Sequence, residues 1–583
     1  MATSDVAGRA MWRTHPVIAD GARSEGEHSA AEIRSVSPCG GGAPAPPHAQ
    51  IGVMTETSAP VESAAGDQRL AILLSMAMFV LVVDTSIMNV SISEVVKDLN
   101  TSASDVQSAI ALEALVSAAF ILIGSKIGDL IGRKRAYVIG LLAYATGALA
   151  MALSQSITAV IVFWAIIGGL GASLLLPAMQ SLIHGNFHGV AQKKAYALVG
   201  AAAAIAAAVG PLVGGLITTY FSWRIAFLCE DLIIVIVLSG IGLVRDAPYT
   251  GPRRIDVVGA LLSVVGMGGI VLSILVWQEG GESVAALLIF GAAAMALFAY
   301  WLRRRKANGK PALLDPDLFR ATLFRYGITG QLMQQIALGG LMIALPIYLQ
   351  MVLEYNAMQA GLSMAPLSLT MFATALVMGK AAGKFRPASL IRAGFALTTV
   401  GVLVLLPIVP HADSGWALVI PLIVVGCGLG LLVSQLNNYT LAPVSEERVS
   451  EAAGVNSAGG SFGLSFGLAF AGAIMLATLS FTFTNMSNDS TVLSSTEKAK
   501  VADVLENNAQ VLSNTELDKY LETQPPATRD EIIRINTDAR PRALQFALLV
   551  PVVAAVLGLF NSLRMMRQPD PVPSTDLEGM VLG

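Results

Sequence analysis

Long apolar segments recur along the chain from Leu70 onward, and short polar stretches separate them. Each segment holds about 20 or more mostly apolar residues, which is enough for a helix to cross a hydrocarbon core of about 30 Å. The pattern therefore predicts an all-α polytopic membrane protein with fourteen spanning helices. The predicted spans lie near residues 70–94, 104–130, 136–154, 157–183, 194–219, 225–245, 256–277, 284–303, 324–351, 357–383, 388–409, 416–442, 452–482 and 541–565.

Composition supports a membrane protein and argues against several other classes. Hydrophobic residues make up 54% of the chain and charged residues 13%, with a mean hydropathy of +0.66, far from the values of ordinary soluble domains. Three cysteines are too few and too scattered for a disulfide framework. His184 and His188 lack a third ligand, so we expect no metal site. Without a Walker loop or a Gly-x-Ser-x-Gly elbow, we expect neither ATP hydrolysis nor an enzyme.

The chain begins with a polar, irregular stretch. Residues 1–68 cannot bury a core, and they predict a disordered cytosolic tail. No apolar h-region precedes the first long span, so we expect no cleavable signal peptide. Nothing upstream of Met54 resembles folded protein, which favours Met54 as the true start.

Basic residues between the spans indicate how the chain lies in the membrane. The short predicted outer loops hold almost no lysine or arginine, so the positive-inside rule predicts that both termini lie in the cytosol. We expect the protein to lie in the plasma membrane. The predicted inner loops contain GRKR at 132–135, QKK at 192–194, PRR at 252–254, RRRK at 303–306 and KFR at 384–386.

One predicted outer segment, 483–540, is long. It contains three Ser/Thr-x-x-Glu pairs, at 494 and 497, 513 and 516, and 528 and 531. Each pair matches a capping box, and together they predict two or three short helices. A simple spacer and a lid or docking element both fit this pattern.

The end of the second span reads GSKIGDLIGRKR, at 124–135. It resembles the loop signature of the major facilitator superfamily, with departures at Ser125 and Leu130. Glycines permit the tight turn, and an aspartate at a helix end can face the positive end of another helix. The resemblance implies a conformational role for Gly128, Asp129, Gly132, Arg133 and Lys134.

The fifth span strengthens this resemblance. AAAAIAAAVGPLVGG, at 201–215, resembles the antiporter motif of that family through Gly210, Pro211, Gly214 and Gly215. Small residues allow close helix packing, and a proline adds a kink. Together with DTSIMNV at 84–90, SWRIAF at 222–227 and LLDPDLF at 313–319, it makes the chain similar to the fourteen-helix drug:proton antiporter branch over about 70–480 and 541–565.

The resemblance implies a major facilitator fold, in which two six-helix bundles alternate access to a central site. The bundles would be residues 69–245 and 324–565. Two inserted helices at 256–303 and a basic cytosolic loop at 304–323 would lie between them, and a cytosolic tail at 566–583 would follow.

Two carboxylates lie near the middle of predicted spans, where an ionised side chain costs about 3 kcal/mol on insertion scales. Asp84 lies about 21 Å from the inner surface, and Glu113 lies about 24 Å from the inner end of its span. At similar depth the two could share or relay a proton, provided that both face the cavity.

Span 4 lacks the arginine that the family assigns to proton coupling, because Ala165 and Gly168 stand where arginine and glutamine are usual. Glu113 is a candidate replacement for that machinery. The alternatives are a carboxylate retained for structure and one that faces outer-loop water.

Other polar residues in the spans are candidates for ligand contact. Glu230 and Asp231 lie near the predicted outer end of span 6, which makes them candidates for an outer vestibule. The candidates for a substrate cavity are the amides of Asn89, Gln180, Gln331, Gln334, Gln335, Gln435, Asn438 and Asn456.

The sequence thus predicts a proton-coupled antiporter that exports amphipathic small molecules or drugs. We expect a monomer that uses the proton gradient, without a cofactor or a nucleic-acid partner. A second hypothesis is export of a lipid, an endogenous metabolite or a self-made antibiotic. A third is a non-transporting sensor or assembly protein.

Overall fold

The computed structural model describes residues 61–187, 189–246, 256–278, 283–380, 385–412, 414–444, 448–494, 498, 517–518, 521–522 and 524–569. Most of both predicted tails lies outside these residues, as do His188, residues 252–254 and Lys384. The first helix begins at Val61. Residues 61–68 therefore belong to a helix and not to the predicted tail.

The described residues form helices and no strand, and fourteen helical segments are long and apolar enough to cross a membrane. The all-α class and the number of spans are therefore confirmed. A π-helical stretch, Val160–Gly168, joins α5 to α6 within span 4. The helices of the first half are α1 Val61–Val90, α2 Ile92–Leu99, α3 Ala103–Ile131, α4 Arg133–Leu153, α5 Ile157–Ala159, α6 Gly169–Asn186, α7 Gly189–Tyr220 and α8 Trp223–Ser239.

The second half begins with two helices that lie between the bundles in sequence. Span 9 ends in a second π-helical stretch, Tyr348–Val352. The helices are α9 Val257–Gln278, α10 Val284–Ala307, α11 Thr322–Ile347, α12 Ala357–Lys380, α13 Pro387–Ile408, α14 Val419–Leu441, α15 Val449–Asp489, α16 Pro526–Ala547 and α17 Leu549–Met565.

Glycines bring the two halves of the chain together where α7 meets α12. A Cβ on Gly215 would lie 2.4 Å from a carbonyl oxygen of α12, and one on Gly361 would lie 2.1 Å from the carbonyl oxygen of Pro211. Gly210 and Gly214 pack against α1, where a Cβ would lie 2.5 Å from Ser86 and 2.9 Å from Ile87. The antiporter-like motif therefore lies between two neighbouring helices, and the close packing predicted from its small residues is confirmed.

The inserted helices α9 and α10 pack on each other, and α9 also packs against α3 and α15. Asp256, buried just before α9, accepts hydrogen bonds from the Trp301 indole N–H at 3.0 and 3.2 Å. The same carboxylate pairs with Arg305 at 3.3 Å. This buried contact fixes the end of α10 against the start of α9.

The predicted basic loop at 304–323 is partly helical and contains compensating acids. Helix α10 continues to Ala307, and a 3₁₀ turn covers Pro316–Arg320. Lys306 pairs with Asp315 at 2.5 Å, and Arg448 pairs with the same carboxylate at 2.9 Å. Burial opposes ionisation of Asp315, but these two cations hold its pKa below its ordinary value.

The outer segment predicted at 483–540 belongs in part to the spans that flank it. Helix α15 has 41 residues, about 60 Å at the α-helical rise, or about twice the hydrocarbon thickness. Helix α16 begins at Pro526, fifteen residues before the predicted start of the last span at 541. The Ser490 hydroxyl donates to Glu531 at 2.7 Å, which joins the extended ends of spans 13 and 14.

One of the three predicted capping boxes is wrong, and the others extend beyond the described residues. Thr528 lies inside α16, whose N-cap is Pro525. Glu531 instead pairs with Arg534 at 2.8 Å. A proline can start a helix without a side-chain cap because its φ is already helical. Glu497 and the pair at 513 and 516 lie outside the described residues.

Candidate functional site

Asp84 lies in α1 and is 1% exposed. Its carboxylate accepts a hydrogen bond from the Tyr144 hydroxyl on α4. The Trp164 indole N–H donates to both carboxylate oxygens, at 3.1 Å to Oδ1 and 2.9 Å to Oδ2. Two aromatic donors on different spans therefore hold this carboxylate in the N-terminal half, and neither donor carries a charge.

Trp164 lies in the π-helical stretch of span 4. Such stretches are rare and often occur at functional sites, because the wider turn redirects side chains. The buried indole packs edge-on against Phe227, with ring centroids 6.4 Å apart. Sequence reasoning missed both Trp164 and Tyr144. The available signal was that buried aromatic residues with a polar tip need a hydrogen-bond partner.

Glu113, on α3, is also buried, and its charge interacts with that of Asp84. Tyr144 interacts electrostatically with both carboxylates. The contacts of the described residues include no hydrogen bond between Asp84 and Glu113. The two groups predicted at similar depth thus share one neighbourhood, while a proton relay between them stays a prediction.

Glu230 does not lie in an outer vestibule, so that prediction is wrong. It follows the start of α8 by seven residues, about 10 Å along the helix. The residue is 2% exposed, and its charge interacts with Asp84 and Tyr144. Asp231, its neighbour, is half-buried. Position along the span suggested the vestibule, but the helical rotation turns Glu230 into the bundle. Asp84, Glu113, Glu230, Tyr144 and Trp164 are called the carboxylate cluster below.

Several predicted cavity amides bond within the C-terminal half. Gln334 is buried and donates to the Gln335 side chain at 3.2 Å. Asn456 is also buried and donates to Asn437 at 3.1 Å. Gln331 and Gln335 lie beside Gly460, where a Cβ would be 3.4 Å from the Gln331 amide nitrogen. Gln331 and Gln335 thus mark the packing of α11 on α15, and the Asn456 bond joins α15 to α14.

The remaining amides do not form one site with the cluster. Gln435 is buried, whereas Asn438 is exposed. Gln180 donates to Ser457 at 3.4 Å and so links the two halves. Asn89 donates to the Thr85 carbonyl at 2.8 Å. Among the described residues, no hydrogen bond joins any of these amides to Asp84.

The two halves also meet at the end of the bundle opposite the basic loops. There the Gln350 side chain, in the second π-helical stretch, accepts from the Ser93 backbone N–H at 3.0 Å. The same side chain donates to the Asn89 carbonyl at 3.4 Å. The first span is therefore bonded to span 9 one or two turns beyond Asp84. Sequence reasoning did not single out Gln350.

The predicted gating loop lies at the basic end of the bundle. Gly132 has a φ of +102°, so the turn between α3 and α4 requires the left-handed region that favours glycine. The Lys134 backbone N–H donates to Asp246 at 3.0 Å, which caps the start of α4 from the end of span 6. Asp129 pairs with Arg133 at 3.6 Å, and its charge interacts with Glu451 in the first turn of α15.

A cavity of about 450 Å³, counted to its open mouth, lies where α3, α11, α15 and α16 meet. Its lining is mostly apolar and includes Gln107 and Arg540. No member of the carboxylate cluster lines it.

Comparison with known proteins places this arrangement among transporters. The chain is 28% identical over 412 residues to the multidrug resistance protein Stp of Mycobacterium tuberculosis, covering 70% of this chain and 75% of that protein. It is 26% identical over 468 residues to a probable actinorhodin transporter of Streptomyces coelicolor, covering 79% of each.

A solved structure of a bacterial homolog to the human lysosomal transporter Spinster, inward-facing and unoccupied, has a TM-score of 0.58 and covers 88% of this chain and 100% of that chain. At 11% identity, this likeness shows the fold alone. The model of the Major Facilitator Superfamily matches residues 74–254 and 249–468. The family predicted from the loop and antiporter motifs is thereby confirmed, and the chain belongs to the Major Facilitator Superfamily.

Proposed function

We propose that this transporter exports amphipathic small molecules across the plasma membrane in exchange for protons, and that Asp84 binds the transported proton. One observation carries the proposal: a fully buried carboxylate is held by two neutral donors. Within the described part of the chain, no lysine, arginine or histidine pairs with Asp84. Similarity to proteins named for multidrug resistance and antibiotic transport supports the substrate class.

The chemistry of the two donors suits a reversible proton site. Burial of an ionised carboxylate costs about 3 kcal/mol on insertion scales. Hydrogen bonds to a charged group contribute about 1.5–3 kcal/mol each, so Tyr144 and Trp164 make the ionised form accessible without a permanent cation. After protonation the Tyr144 hydroxyl can accept a hydrogen bond instead of donating one. Both protonation states of Asp84 therefore fit the same surroundings.

Coupling requires that the charge on Asp84 affect which end of the bundle is open. Asn89 lies five residues beyond Asp84 on α1, about 7.5 Å along the helix. Its carbonyl is bonded to Gln350 of span 9. A shift of α1 on protonation would reach this contact directly. Alternating access would break the Gln350 contacts when one end opens, and the bond between Gln180 and Ser457 when the other end opens.

The orientation follows from the basic end of the bundle. Lys134, Lys306 and Arg448 lie there, so the positive-inside rule assigns this end and both termini to the cytosol. In this orientation the extended ends of α15 and α16 lie outside. The proton gradient supplies the energy, with no cofactor, and a monomer contains the whole cluster.

Export of an endogenous antibiotic or related metabolite is the second candidate function. The similarity to the probable actinorhodin transporter favours it. It predicts that actinorhodin competes with ethidium for export. An exporter that does not bind actinorhodin would not show this competition.

Transport in proteoliposomes tests the proposal. Purified full-length protein is given ethidium as the probe, under an imposed pH gradient and with the membrane potential clamped. We expect gradient-driven movement by the wild type, none by Asp84→Asn, and a reduced rate for Glu113→Gln. Glu94→Gln is the matched control, because Glu94 lies on the neighbouring α2 and pairs only loosely with Lys97, at 3.8 Å.

Each failure has a distinct meaning. Ethidium movement that ignores the gradient in the wild type would show that proton coupling is wrong. Normal coupling in Asp84→Asn would remove Asp84 from the mechanism. No movement of ethidium, actinorhodin or a fluorescent lipid would favour the non-transporting sensor or assembly protein.

A further inference from the structure

Glu230 is a buried acid for which the fold offers no partner. Both of its carboxylate oxygens are inaccessible to solvent and accept no hydrogen bond from any described residue. Buried polar groups in folded proteins are nearly always bonded, so each exception calls for an explanation. Other side chains of α8 supply no bonding partner for Glu230. Leu228, Leu232 and Val235 on the same helix are exposed apolar residues suited to contact with lipid.

The groups around Glu230 are acids rather than bases. Helix α8 packs against α1, α4 and α7. Its electrostatic neighbours are Asp84 from α1 and Tyr144 from α4, with Asp231 and Cys229 on its own helix. No charged group from the described part of α7 interacts electrostatically with Glu230. Arg224, also on α8, is engaged by Asp98 and the Ser154 carbonyl near the start of the helix.

Three carboxylates therefore surround Tyr144, and no described cation pairs with them. Like charges at close range in a medium of low polarity repel strongly, so the group holds fewer than three negative charges. One proton on Asp84 would still leave Glu230 buried and ionised without a hydrogen bond. A protonated Glu230 removes that charge, and Asp84 is the group that the aromatic donors favour in the ionised form.

We propose that Glu230 is a second proton-binding site, electrostatically coupled to Asp84, and that the transporter exchanges two protons for each substrate molecule. The inference rests on the proposed function and deepens it. Because the two acids repel, loss of the proton from one opposes loss from the other. Release of both becomes favourable only when a substrate cation or a change of conformation compensates the second charge.

The proton stoichiometry tests this inference directly. Full-length wild type and Glu230→Gln are reconstituted in liposomes with the membrane potential held at zero, and ethidium is the probe. The readout is the ethidium gradient at which net flux stops under a tenfold proton gradient. Two-proton exchange balances an ethidium gradient of about a hundredfold, and one-proton exchange balances about tenfold. We expect the first value for wild type and the second for Glu230→Gln.

Asp231→Asn is the matched control. The neighbouring acid lies on the same helix, rotated by about 100°. Its two carboxylate oxygens are likewise buried and accept no hydrogen bond from a described residue, but its charge does not interact with Asp84 or Tyr144. It should keep the balance point of wild type, as should Glu230→Asp, which retains a carboxylate. If Glu230→Gln does not fold, the protons released by wild type in detergent on ethidium binding are counted with a pH indicator. Two are expected, and one would overturn the inference.

The other outcomes separate this inference from the function on which it rests. A tenfold balance point in wild type, or an unchanged one in Glu230→Gln, overturns the second site while leaving proton coupling intact. A Glu230→Gln variant with altered KM for ethidium and an unchanged balance point would make Glu230 a substrate contact instead. Flux in wild type that ignores the gradient contradicts the proposed function itself.

Discussion

Replacement of Trp164 by phenylalanine tests whether the indole N–H is what allows Asp84 to ionise. The variant keeps an aromatic ring against Phe227, whose centroid lies 6.4 Å from that of Trp164. It removes the donor that lies 2.9 and 3.1 Å from the two carboxylate oxygens. The Tyr144 hydroxyl would be the remaining donor.

The size of the effect follows from the lost hydrogen bond. A bond to a charged acceptor is worth about 1.5–3 kcal/mol, which corresponds to a factor of about 10 to 100 in the balance between the protonated and ionised forms. Only the ionised form loses stabilisation, so proton release requires a lower proton concentration. We expect the pH profile of ethidium transport to move to higher pH by about 1–2 units.

The assay is the initial rate of ethidium transport in proteoliposomes across a range of internal pH. Trp223→Phe is the matched control, because Trp223 also packs edge-on against Phe227, at 6.1 Å, and donates to Asp98 at 3.0 Å. Both variants lose similar volume, so loss of packing alone would affect both. A Trp164→Phe profile that coincides with wild type would refute the role given to the indole donor.

Three further predictions concern stability, each read from a thermal unfolding curve. Gly361→Ala places a methyl group 2.1 Å from a carbonyl oxygen of α7, so it should destabilise the contact between the two halves by about 1–3 kcal/mol. Gly268→Ala is the control and should not be destabilising, because its Cβ would meet nothing within 4 Å. Asp256→Ala removes the carboxylate that pairs with Arg305 and leaves the Trp301 indole and Leu313 backbone donors without their acceptor, so it should cost about 2–5 kcal/mol. An unchanged midpoint would show that this carboxylate does not anchor the inserted helices. Lys306 holds the pKa of Asp315 low, so the stability that the ionised Asp315 contributes is present at neutral pH and is lost as the pH falls through the folded-state pKa. Acidification should therefore narrow the difference in unfolding midpoint between wild type and Asp315→Asn. A difference that stays constant with pH would contradict this.

Local sequence was sufficient to predict the spans, because hydrophobic length is a property of the chain itself. The loop and antiporter motifs were readable for the same reason, since Gly132 and Gly215 act through their own missing side chains. Span ends were less predictable. Helices α15 and α16 continue past the apolar stretches because their ends pack on each other above the last apolar turns.

The candidate site was only partly predictable. Asp84 and Glu113 stood out in the sequence as charges in apolar surroundings. The structure buries both, and their charges interact. The missing arginine beside Trp164 was visible too. Nothing in the sequence indicated that a π-helical stretch would direct the Trp164 indole to Asp84.

By itself, the sequence determined the class of protein, the number of spans, the family and the presence of isolated carboxylates in the membrane, because each follows from composition or from contiguous residues. Only the tertiary structure decided which polar groups meet. Glu230 and Asp84 are 146 residues apart, and the rotation of α8 about its axis turns one of two adjacent acids into the carboxylate cluster and leaves the other half-buried. That rotation is set by packing against α1 and α4, which no single segment encodes.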